Sequence, residues 1–324
     1  MTYEEFKKEV MTSFIERVTK EHISDDISAS FETIDETTRT VEKLMVRSTK
    51  SNLALAFRVT DTYDDFCNDP NVTIDSLVDD LIHTVVENKR RYQEQMDYLN
   101  GFILHYDKVK EHLYLRMIPG NSPRLNCIPH KDISDMAVIV CIHCDGFDKI
   151  NENEGKSVVT VEKQLMDEYG VTEEQLFEDA LQNTLSKEKL TIEPIKSRMM
   201  KMMGYSEEEI KNSEDPCDYD ICIFSNTSGF QGAAVMFYPD FWDEAVKIMN
   251  GSFFIIPSSQ HEIIVISAKS VDGDISSIND TIRMVNSTML NPRETLSDHF
   301  YFYDADNKII QTADEYINSQ TQTP

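Results

Sequence analysis

The chain has 324 residues, 40% of them hydrophobic, so it can bury a core in one large domain or two ordinary ones. Its 58 acidic and 31 basic residues give a net charge of -27, which disfavours direct binding to nucleic-acid phosphates. The chain shows neither a signal peptide nor an apolar stretch long enough to span a membrane, so we expect a cytoplasmic protein with reduced cysteines.

The first part of the chain predicts a meander-plus-helix unit, which we assign to residues 1–106. Thr2 and Glu5 form a capping box before apolar residues at four-residue spacing, which predicts a helix over about the first 20 residues. Three alternating segments predict a meander of strands: 27–34, 40–47 and 53–59. Residues 61–71 predict an acidic loop, and Thr73 predicts the cap of a long helix that closes the unit.

The rest of the chain predicts a larger domain over residues 107–312. Residues 136–144 are nearly all apolar, which is typical of a strand buried on both faces. Thr172 predicts a helix start, and Asp240 predicts another before the apolar helix that Asn250 and Gly251 end. Further strands are predicted at 113–117, 158–161, 219–225, 233–237, 253–256, 263–266, 299–303 and 308–310.

Four other segments complete the prediction. A methionine-rich helix over 195–205 is expected to pack in the core, because methionine fills irregular gaps. An acidic connector over 212–218 precedes the central strands, and a further helix is expected around 278–289. Residues 313–324 are expected to be a loose tail. The predicted fold is α+β, with mixed, largely antiparallel sheets and packed helices.

One polar cluster combines a nucleophile, a base and an acid within five residues: Ser258, Ser259, His261 and Glu262. Neighbouring side chains of a strand point in different directions, whereas the groups of catalytic triads come from separate elements. We therefore favour a turn in which the serines bond their own backbone. Ser258 and Ser259 remain candidates for ligand binding.

A second cluster lies in segment 297–303, where Asp298 precedes His299 and Tyr301 follows. An aspartate beside a histidine can orient the imidazole, although Asp298 is equally suited to cap a turn. Tyr301 belongs to an aromatic run that we interpret as sheet surface and as a candidate ligand contact. If His261, Glu262, Asp298 and His299 converged in one pocket, they would form a hydrolase-like site.

The sequence predicts no metal site and no cofactor. Cys141, His143 and Cys144, with Cys127 and His130 upstream, have zinc-binding side chains but lack a matching second pair. Strand alternation also sends Cys141 and Cys144 to opposite faces, which favours buried thiols. No glycine pattern typical of a phosphate loop is present.

Four segments of the chain are distinctive: Met1-Thr2-Tyr3-Glu4-Glu5-Phe6, Gly232-Ala233-Ala234 leading to Tyr238-Pro239, Ile256-Pro257-Ser258-Ser259-Gln260-His261-Glu262, and Leu296-Ser297-Asp298-His299-Phe300-Tyr301-Phe302-Tyr303. Together these segments resemble a family of unknown function found in gut clostridia and other Firmicutes. A more distant similarity is to an uncharacterised Bacillus family. Neither resemblance implies an activity, a catalytic residue or a cofactor.

The leading hypothesis is a non-enzymatic cytoplasmic binding or regulatory protein, because the polar clusters suit turns better than catalysis. Its expected partner is a protein or a small molecule, with no direct binding to nucleic acid or to a membrane. The first alternative is a hydrolase-like enzyme with a site at segments 257–262 and 297–303. The second is an acidic decoy for a basic DNA-binding protein, which the net charge of -27 suggests.

Overall fold

The computed structural model describes residues 1–20, 27–36, 40–48, 54–144, 158–213, 215, 219–271, 282, 284 and 294–321. These residues form two compact units, one built from residues 1–103 and the other from residues 104–144 and 158–321. The contacts divide the chain slightly before the predicted boundary after residue 106. Each strand pair in the described residues is antiparallel, and helices accompany the sheets, so the predicted α+β class is confirmed.

The helices are α1 (Tyr3–Lys20), α2 (Val59–Asn68), α3 (Ile74–Tyr98), α4 (Tyr106–Val109), α5 (Lys163–Tyr169), α6 (Glu173–Lys187), α7 (Ile195–Met202), α8 (Glu207–Asn212), α9 (Phe241–Met249) and α10 (Ala313–Thr321). The strands are β1 (Ile27–Asp35), β2 (Thr40–Ser48), β3 (Ala54–Arg58), β4 (Leu113–Pro119), β5 (His130–Ile133), β6 (Met136–His143), β7 (Val158–Thr160), β8 (Leu190–Pro194), β9 (Ile221–Asn226), β10 (Phe253–Ser259), β11 (Glu262–Ser267), β12 (Tyr301–Asp304) and β13 (Ile309–Thr312). None of the helices in the described part of the chain combines the length and the apolar character needed to cross a bilayer.

The first unit is the predicted meander packed against helices. Thr2 and Glu5 exchange hydrogen bonds of 2.8 and 3.3 Å, so the predicted capping box at the start of α1 is confirmed. The buried face of α1 shares one core with β2, α2 and α3. Complete burial of one large apolar side chain in such a core stabilises the fold by about 1.5–3 kcal/mol.

The prediction of an acidic loop over residues 61–71 is wrong, because much of that segment belongs to α2. Val59 is buried in the core of the first unit, and Tyr63 and Phe66 lie on the same side of the helix, four and seven residues later. Both aromatic rings lie 5.1 Å from the ring of Phe6. Burial of this apolar face stabilises a helix whose acidic residues remain on its outer side.

The second unit contains two sheets. The larger sheet has six strands in the order β13-β12-β10-β11-β9-β8, so β10 and β11 are central, as predicted. The smaller sheet has four strands, in which β6 pairs with β4, β5 and β7. Every residue of β6 is buried, which confirms the predicted doubly covered strand. Thr172 accepts a hydrogen bond from the backbone of Gln175 and caps α6, and Asn250 ends α9 with a φ of 53°.

Residues 233–237 do not form the predicted strand but part of a 3₁₀ helix, Gly232–Phe237. The chain enters this helix through Gln231, which has a φ of 55°, and Gly232 lies tightly against β9 and the start of β11. A Cβ atom on Gly232 would lie 2.3 Å from the carbonyl oxygen of His261. This close approach turns the backbone away from the sheet.

The prediction that the methionine-rich helix packs in the core is wrong, because the side chain of Met202 on α7 is 82% exposed and those of Met199 and Met203 are also exposed. The prediction of a loose tail after residue 312 is also wrong for residues 313–321, which form α10. Most of the predicted helix near 278–289 and part of the connector at 212–218 lie outside the described residues.

The helix α10 packs on the outer face of the six-stranded sheet. The ring of Tyr316 stacks on that of Phe302 at 3.9 Å, and Ala313 is completely buried. Phe302 belongs to an aromatic cluster with Phe254 and Phe300. Because side chains alternate along a strand, Tyr301 and Tyr303 point to the opposite face of β12.

Candidate functional site

A cluster of polar side chains forms where the turn between β5 and β6 meets the segment that leads into β12. Asp135, in that turn, follows Ser134, whose φ is 56°, and its carbonyl oxygen accepts a 2.8 Å hydrogen bond from the amide of Gly120. Its carboxylate accepts a hydrogen bond from Ser297 Oγ, 3.2 Å from Oδ2, and another from the Tyr301 hydroxyl at Oδ1. Three elements therefore fix the position of one carboxylate.

The same carboxylate orients an imidazole. Nδ1 of His299 lies 2.6 Å from Oδ2 of Asp135. An ionised carboxylate can only accept hydrogen bonds, so Nδ1 carries a proton, and in the neutral form of the ring Nε2 presents its lone pair. The backbone amide of His299 donates to Ser297 Oγ at 3.0 Å, which fixes the main chain beside the ring.

Tyr301 is the buried member of this cluster. Its side chain has no exposed surface, and burial raises the pKa of its hydroxyl, as does the hydrogen bond to Asp135. The hydroxyl therefore remains protonated and donates to Asp135 over the whole physiological range. The sequence suggested Tyr301 as a ligand contact. In this structure its hydroxyl instead contacts Asp135 of the same chain.

A cleft of about 490 Å³ lies next to this cluster, and its walls are mainly apolar and aromatic. The lining residues are Asp132, Ile133, Ser134, Met236, Phe237, Tyr238, Pro239, Trp242, Tyr303, Lys308 and Ile310. The ring of Trp242 stacks on that of Tyr303 at 4.6 Å, and Tyr303 also stacks on Phe253 at 5.0 Å. We call this feature the aromatic cleft.

The aromatic cleft and the Asp135 cluster share two walls. Ser134 lines the cleft and is followed directly by Asp135, and Tyr303 lines the cleft two residues after Tyr301 on the same face of β12. The Tyr238 hydroxyl in the cleft wall is buried and has no hydrogen-bond partner among the described residues. The site thus combines an apolar surface with an oriented histidine.

The rim of the aromatic cleft is held by a rigid turn between β12 and β13. Asp304 Oδ1 accepts hydrogen bonds from the backbone amides of Asp306 and Asn307, at 2.9 and 3.0 Å, and Oδ2 accepts one from the Asn307 side chain. These bonds, with the Asn307 side chain as the largest cause, hold the pKa of Asp304 below its usual value. The turn delivers Lys308, with a φ of 56°, to the cleft.

His261 belongs to a different cluster. Its Nδ1 accepts a 3.2 Å hydrogen bond from the backbone amide of Gln231, and its Nε2 lies 3.8 Å from Glu294 Oε1. The side-chain oxygen of Gln231 lies 3.3 Å from Nε2 of the buried His143, whose ring stacks on Tyr114 at 3.8 Å. Gln231 has a left-handed backbone and is itself buried, so packing on all sides holds it in a conformation that glutamine rarely adopts.

The first sequence cluster forms a turn with different partners for each polar group. Ser259 is buried, and its Oγ accepts a hydrogen bond from the backbone amide of His261 at 3.0 Å. Ser258 is partly buried on β10, and Glu262 lies 3.8 Å from Arg198. No hydrogen bond or ion pair between described residues joins His261 to His299.

The carboxylate that lies within hydrogen-bond distance of His299 Nδ1 belongs to Asp135. The sequence pattern singles out a different aspartate, the neighbouring Asp298. Asp298 is exposed, whereas Asp135 lies 164 residues before His299 in the chain. Asp135 was not identified from the sequence. The one local signal of its position is a two-residue turn between two strands. Its role depends on a contact between distant segments.

A second cleft of about 450 Å³ lies beside β8 and α7 and differs in character. Its charged groups satisfy one another: Glu193 accepts a 2.7 Å hydrogen bond from Arg198 Nε and pairs with Lys201 at 2.7 Å. Because this acidic group is already paired with two basic groups of the cleft wall, and because the lining is more polar, the aromatic cleft is the stronger candidate for a ligand.

Within the described residues, no three histidine, cysteine, aspartate or glutamate side chains are arranged to hold a metal ion. The cysteines in that part of the chain are free thiols: Cys67, Cys127, Cys141, Cys144 and Cys222. Burial raises the pKa of Cys222 to about 12, followed in effect by the charge of Asp220. The Cys222 thiol is therefore protonated and chemically inert at neutral pH.

Comparison with protein families places this geometry in context. A family model described as "Family of unknown function (DUF5688)" matches residues 3–305. The chain belongs to that family. The region that matches the DUF5688 model includes Asp135, His299 and Trp242. Ile310, in the wall of the aromatic cleft, lies beyond that region. The predicted membership of a family of unknown function is confirmed. No curated protein and no solved structure shows a significant match to the chain.

Proposed function

We propose that this protein is a cytoplasmic binding protein whose ligand is a small organic molecule held in the aromatic cleft. The observation that carries the proposal is the cleft itself, which has a volume of about 490 Å³ and apolar walls. Small-molecule sites are typically concave, mainly apolar and about 300–1,000 Å³ in volume, with a few polar groups that orient the ligand. The Asp135 cluster supplies such groups beside the cleft.

The lining favours a ligand with a flat apolar part. Trp242 and Pro239 retain exposed surface, and both are suited to contact with a ring or a short hydrocarbon chain. Lys308 is the cationic group in the lining, and it can contact a polar substituent at the rim. The stacking of Trp242 on Tyr303 holds the wall in place before a ligand binds, which lowers the entropic cost of binding.

The cytoplasmic part of the proposal is supported by the free thiols of the described cysteines, since disulfides are rare in the cytosol. We also propose, from the sequence resemblance, that this protein occurs in gut clostridia and other Firmicutes. The proposed ligand is therefore a small molecule present inside the cell.

The test uses Nile red, a neutral apolar dye whose emission rises in apolar surroundings. Trp242 is the sole tryptophan of the chain, so binding in the aromatic cleft should change tryptophan emission together with dye emission. Ile310→Asp places a charge in the cleft wall and should weaken dye binding at least about tenfold, which corresponds to about 1.4 kcal/mol.

The matched control is Ile309→Asp, one residue earlier on β13. Ile309 is 54% exposed and does not line the aromatic cleft, so this variant should bind the dye as the wild type does. Circular dichroism confirms that both variants fold. Equal dye affinity for the wild type and for a folded Ile310→Asp variant would overturn the proposal.

A further inference from the structure

We propose that His299, oriented by Asp135, acts as a general base that activates water against a neutral carboxylic ester bound in the aromatic cleft. This inference rests on the proposed function and extends it from binding to hydrolysis. Asp135 acts through the imidazole and is a positioning residue. The pair is distinct from the predicted site in which His261 and Glu262 join Asp298 and His299.

The imidazole of His299 is held in a defined orientation by Asp135. In enzymes with a catalytic triad, an aspartate bound to Nδ1 fixes the tautomer and stabilises the imidazolium that forms when Nε2 takes a proton. Asp135 and His299 have this relation, with 2.6 Å between Oδ2 and Nδ1. The carboxylate of Asp135 also accepts hydrogen bonds from the hydroxyls of Ser297 and Tyr301. These additional bonds distinguish it from a carboxylate in an isolated surface ion pair.

The reactive nitrogen of the imidazole is accessible. The side chain of His299 is 38% exposed, and in the described part of the chain no hydrogen bond to its Nε2 is formed. Nε2 can therefore accept a proton from a water molecule. The pair adjoins the lining of the aromatic cleft along the chain, because Ser134 directly precedes Asp135 and Tyr303 follows His299 by four residues.

The contacts of Ser297 bear on the choice of nucleophile. Ser297 is the serine nearest in sequence to His299, but it lies within hydrogen-bond distance of Asp135 and of Tyr301 Oη, at 3.2 and 2.5 Å. Both partners belong to the group around the Asp135 carboxylate, which contacts Nδ1 and not Nε2. Water is therefore the nucleophile that the geometry supports.

The reaction step balances without any additional reagent. Water oxygen attacks the ester carbonyl carbon and forms a C–O bond while one water proton moves to Nε2. The bond to the alcohol oxygen then breaks, and the imidazolium returns the proton to that oxygen. The products are a carboxylic acid and an alcohol, and His299 is neutral again.

The ester is expected to be uncharged and to have an apolar acyl chain. The lining of the aromatic cleft is mainly apolar, so it favours a hydrocarbon part of the ligand. The net charge of -27 disfavours the approach of anionic substrates and favours release of the carboxylate product.

The test measures hydrolysis of 4-nitrophenyl butyrate by the full chain, with free imidazole as the background reference. General-base catalysis contributes about 10²–10⁴-fold to a rate, so His299→Gln should lower kcat about 100-fold while KM changes little. In the wild type, kcat should rise with pH, because a general base acts only in its unprotonated form. His105→Ala, which changes an exposed histidine of the same unit, is the matched control and should keep the wild-type rate.

Asp135→Asn tests the positioning role. The amide can accept from Nδ1–H but no longer stabilises an imidazolium, so kcat should fall, and its dependence on pH should change. Asp135→Glu restores the charge and should recover part of kcat. A purely structural role of Asp135 would instead lower the melting temperature and leave the pH profile unchanged.

The two proposals fail in different ways. If Nile red binding responds to Ile310→Asp but the wild type hydrolyses the ester no faster than free imidazole, the hydrolytic inference is overturned and the binding function stands. If the ester is hydrolysed and kcat does not depend on His299, the inference is also overturned. Loss of activity in His299→Gln with dye binding unchanged supports it.

Discussion

Replacing Gly232 by alanine should destabilise the second unit, because the first residue of the 3₁₀ helix has no room for a methyl group. A Cβ atom there would lie 2.1 Å from Ser225 Oγ, 2.3 Å from the carbonyl oxygen of His261 and 3.0 Å from the amide of Asn226. The Ser225 side chain could rotate, but it donates a 2.7 Å hydrogen bond to the same carbonyl oxygen. The other two atoms belong to the backbone of β9 and of the turn before β11.

The magnitude follows from these two effects. Loss of the hydrogen bond from Ser225 costs about 1 kcal/mol, and overpacking against a backbone that cannot move aside costs about 1–3 kcal/mol. Gly232→Ala should therefore lower the free energy of unfolding by about 2–4 kcal/mol. In a unit of this size, such a change lowers the melting temperature by roughly 10 °C.

The assay is urea unfolding followed by the fluorescence of Trp242, which lies in the same unit as Gly232. Gly101→Ala, in the first unit, controls for the substitution itself and should leave the transition reported by Trp242 unchanged, because an added Cβ at that position would meet no atom within 4 Å. Ser225→Ala should not rescue Gly232→Ala, since the carbonyl of His261 still blocks the methyl group. A loss of less than about 1 kcal/mol in Gly232→Ala would refute the reasoning, because a clash with backbone atoms costs more than that.

Three further predictions concern other parts of the fold. Burial raises the pKa of Glu36, but the bonds from Arg58 and Lys43 outweigh it and hold the pKa below its usual value. The stability from Glu36 is thus present at neutral pH and lost in acid, so Glu36→Gln should cost about 2 kcal/mol at pH 7 and less at pH 3 in thermal unfolding. Thr172→Ala removes the cap of α6 and should cost about 1 kcal/mol in urea unfolding. Met202→Ser should change stability by less than about 0.5 kcal/mol, because that side chain is 82% exposed.

Much of the fold was predictable from the sequence because its signals are local. A capping residue and a repeat of apolar positions lie within one element, so α1, β6, β10 and β11 could be identified without knowledge of their neighbours. Misses occurred where a distant contact decides the conformation. Helix α2 forms because its apolar face meets α1, and the 3₁₀ helix begins at Gly232, whose backbone lies too close to β9 and the turn before β11 for a side chain.

The methionines of α7 show a different limit. Residue type indicates that a side chain is apolar, but it does not indicate whether the fold supplies a partner for that face of the helix. The buried residue of α7 is Ser197, whereas Met199 and Met202 remain exposed. The same composition would have suited a core position equally well.

The candidate site was only half predictable. His299 and Tyr301 were identified because polar and aromatic residues cluster along one segment, which is a local pattern. Asp135 was missed because 164 residues separate it from His299, and an aspartate in a turn is common in any protein. The aromatic cleft likewise combines segments whose proximity depends on the order of strands in the sheet.

The packing of α10 on β12 has a practical consequence for work on this protein. The ring of Phe302 stacks on that of Tyr316 on one face of β12. Its neighbours Tyr301 and Tyr303 form part of the site on the other face of the same strand. A shortened protein that ends at Thr312 would leave one side of that strand unsupported. Loss of ligand binding in such a truncation would therefore report on a missing scaffold, although none of the deleted residues lines the aromatic cleft.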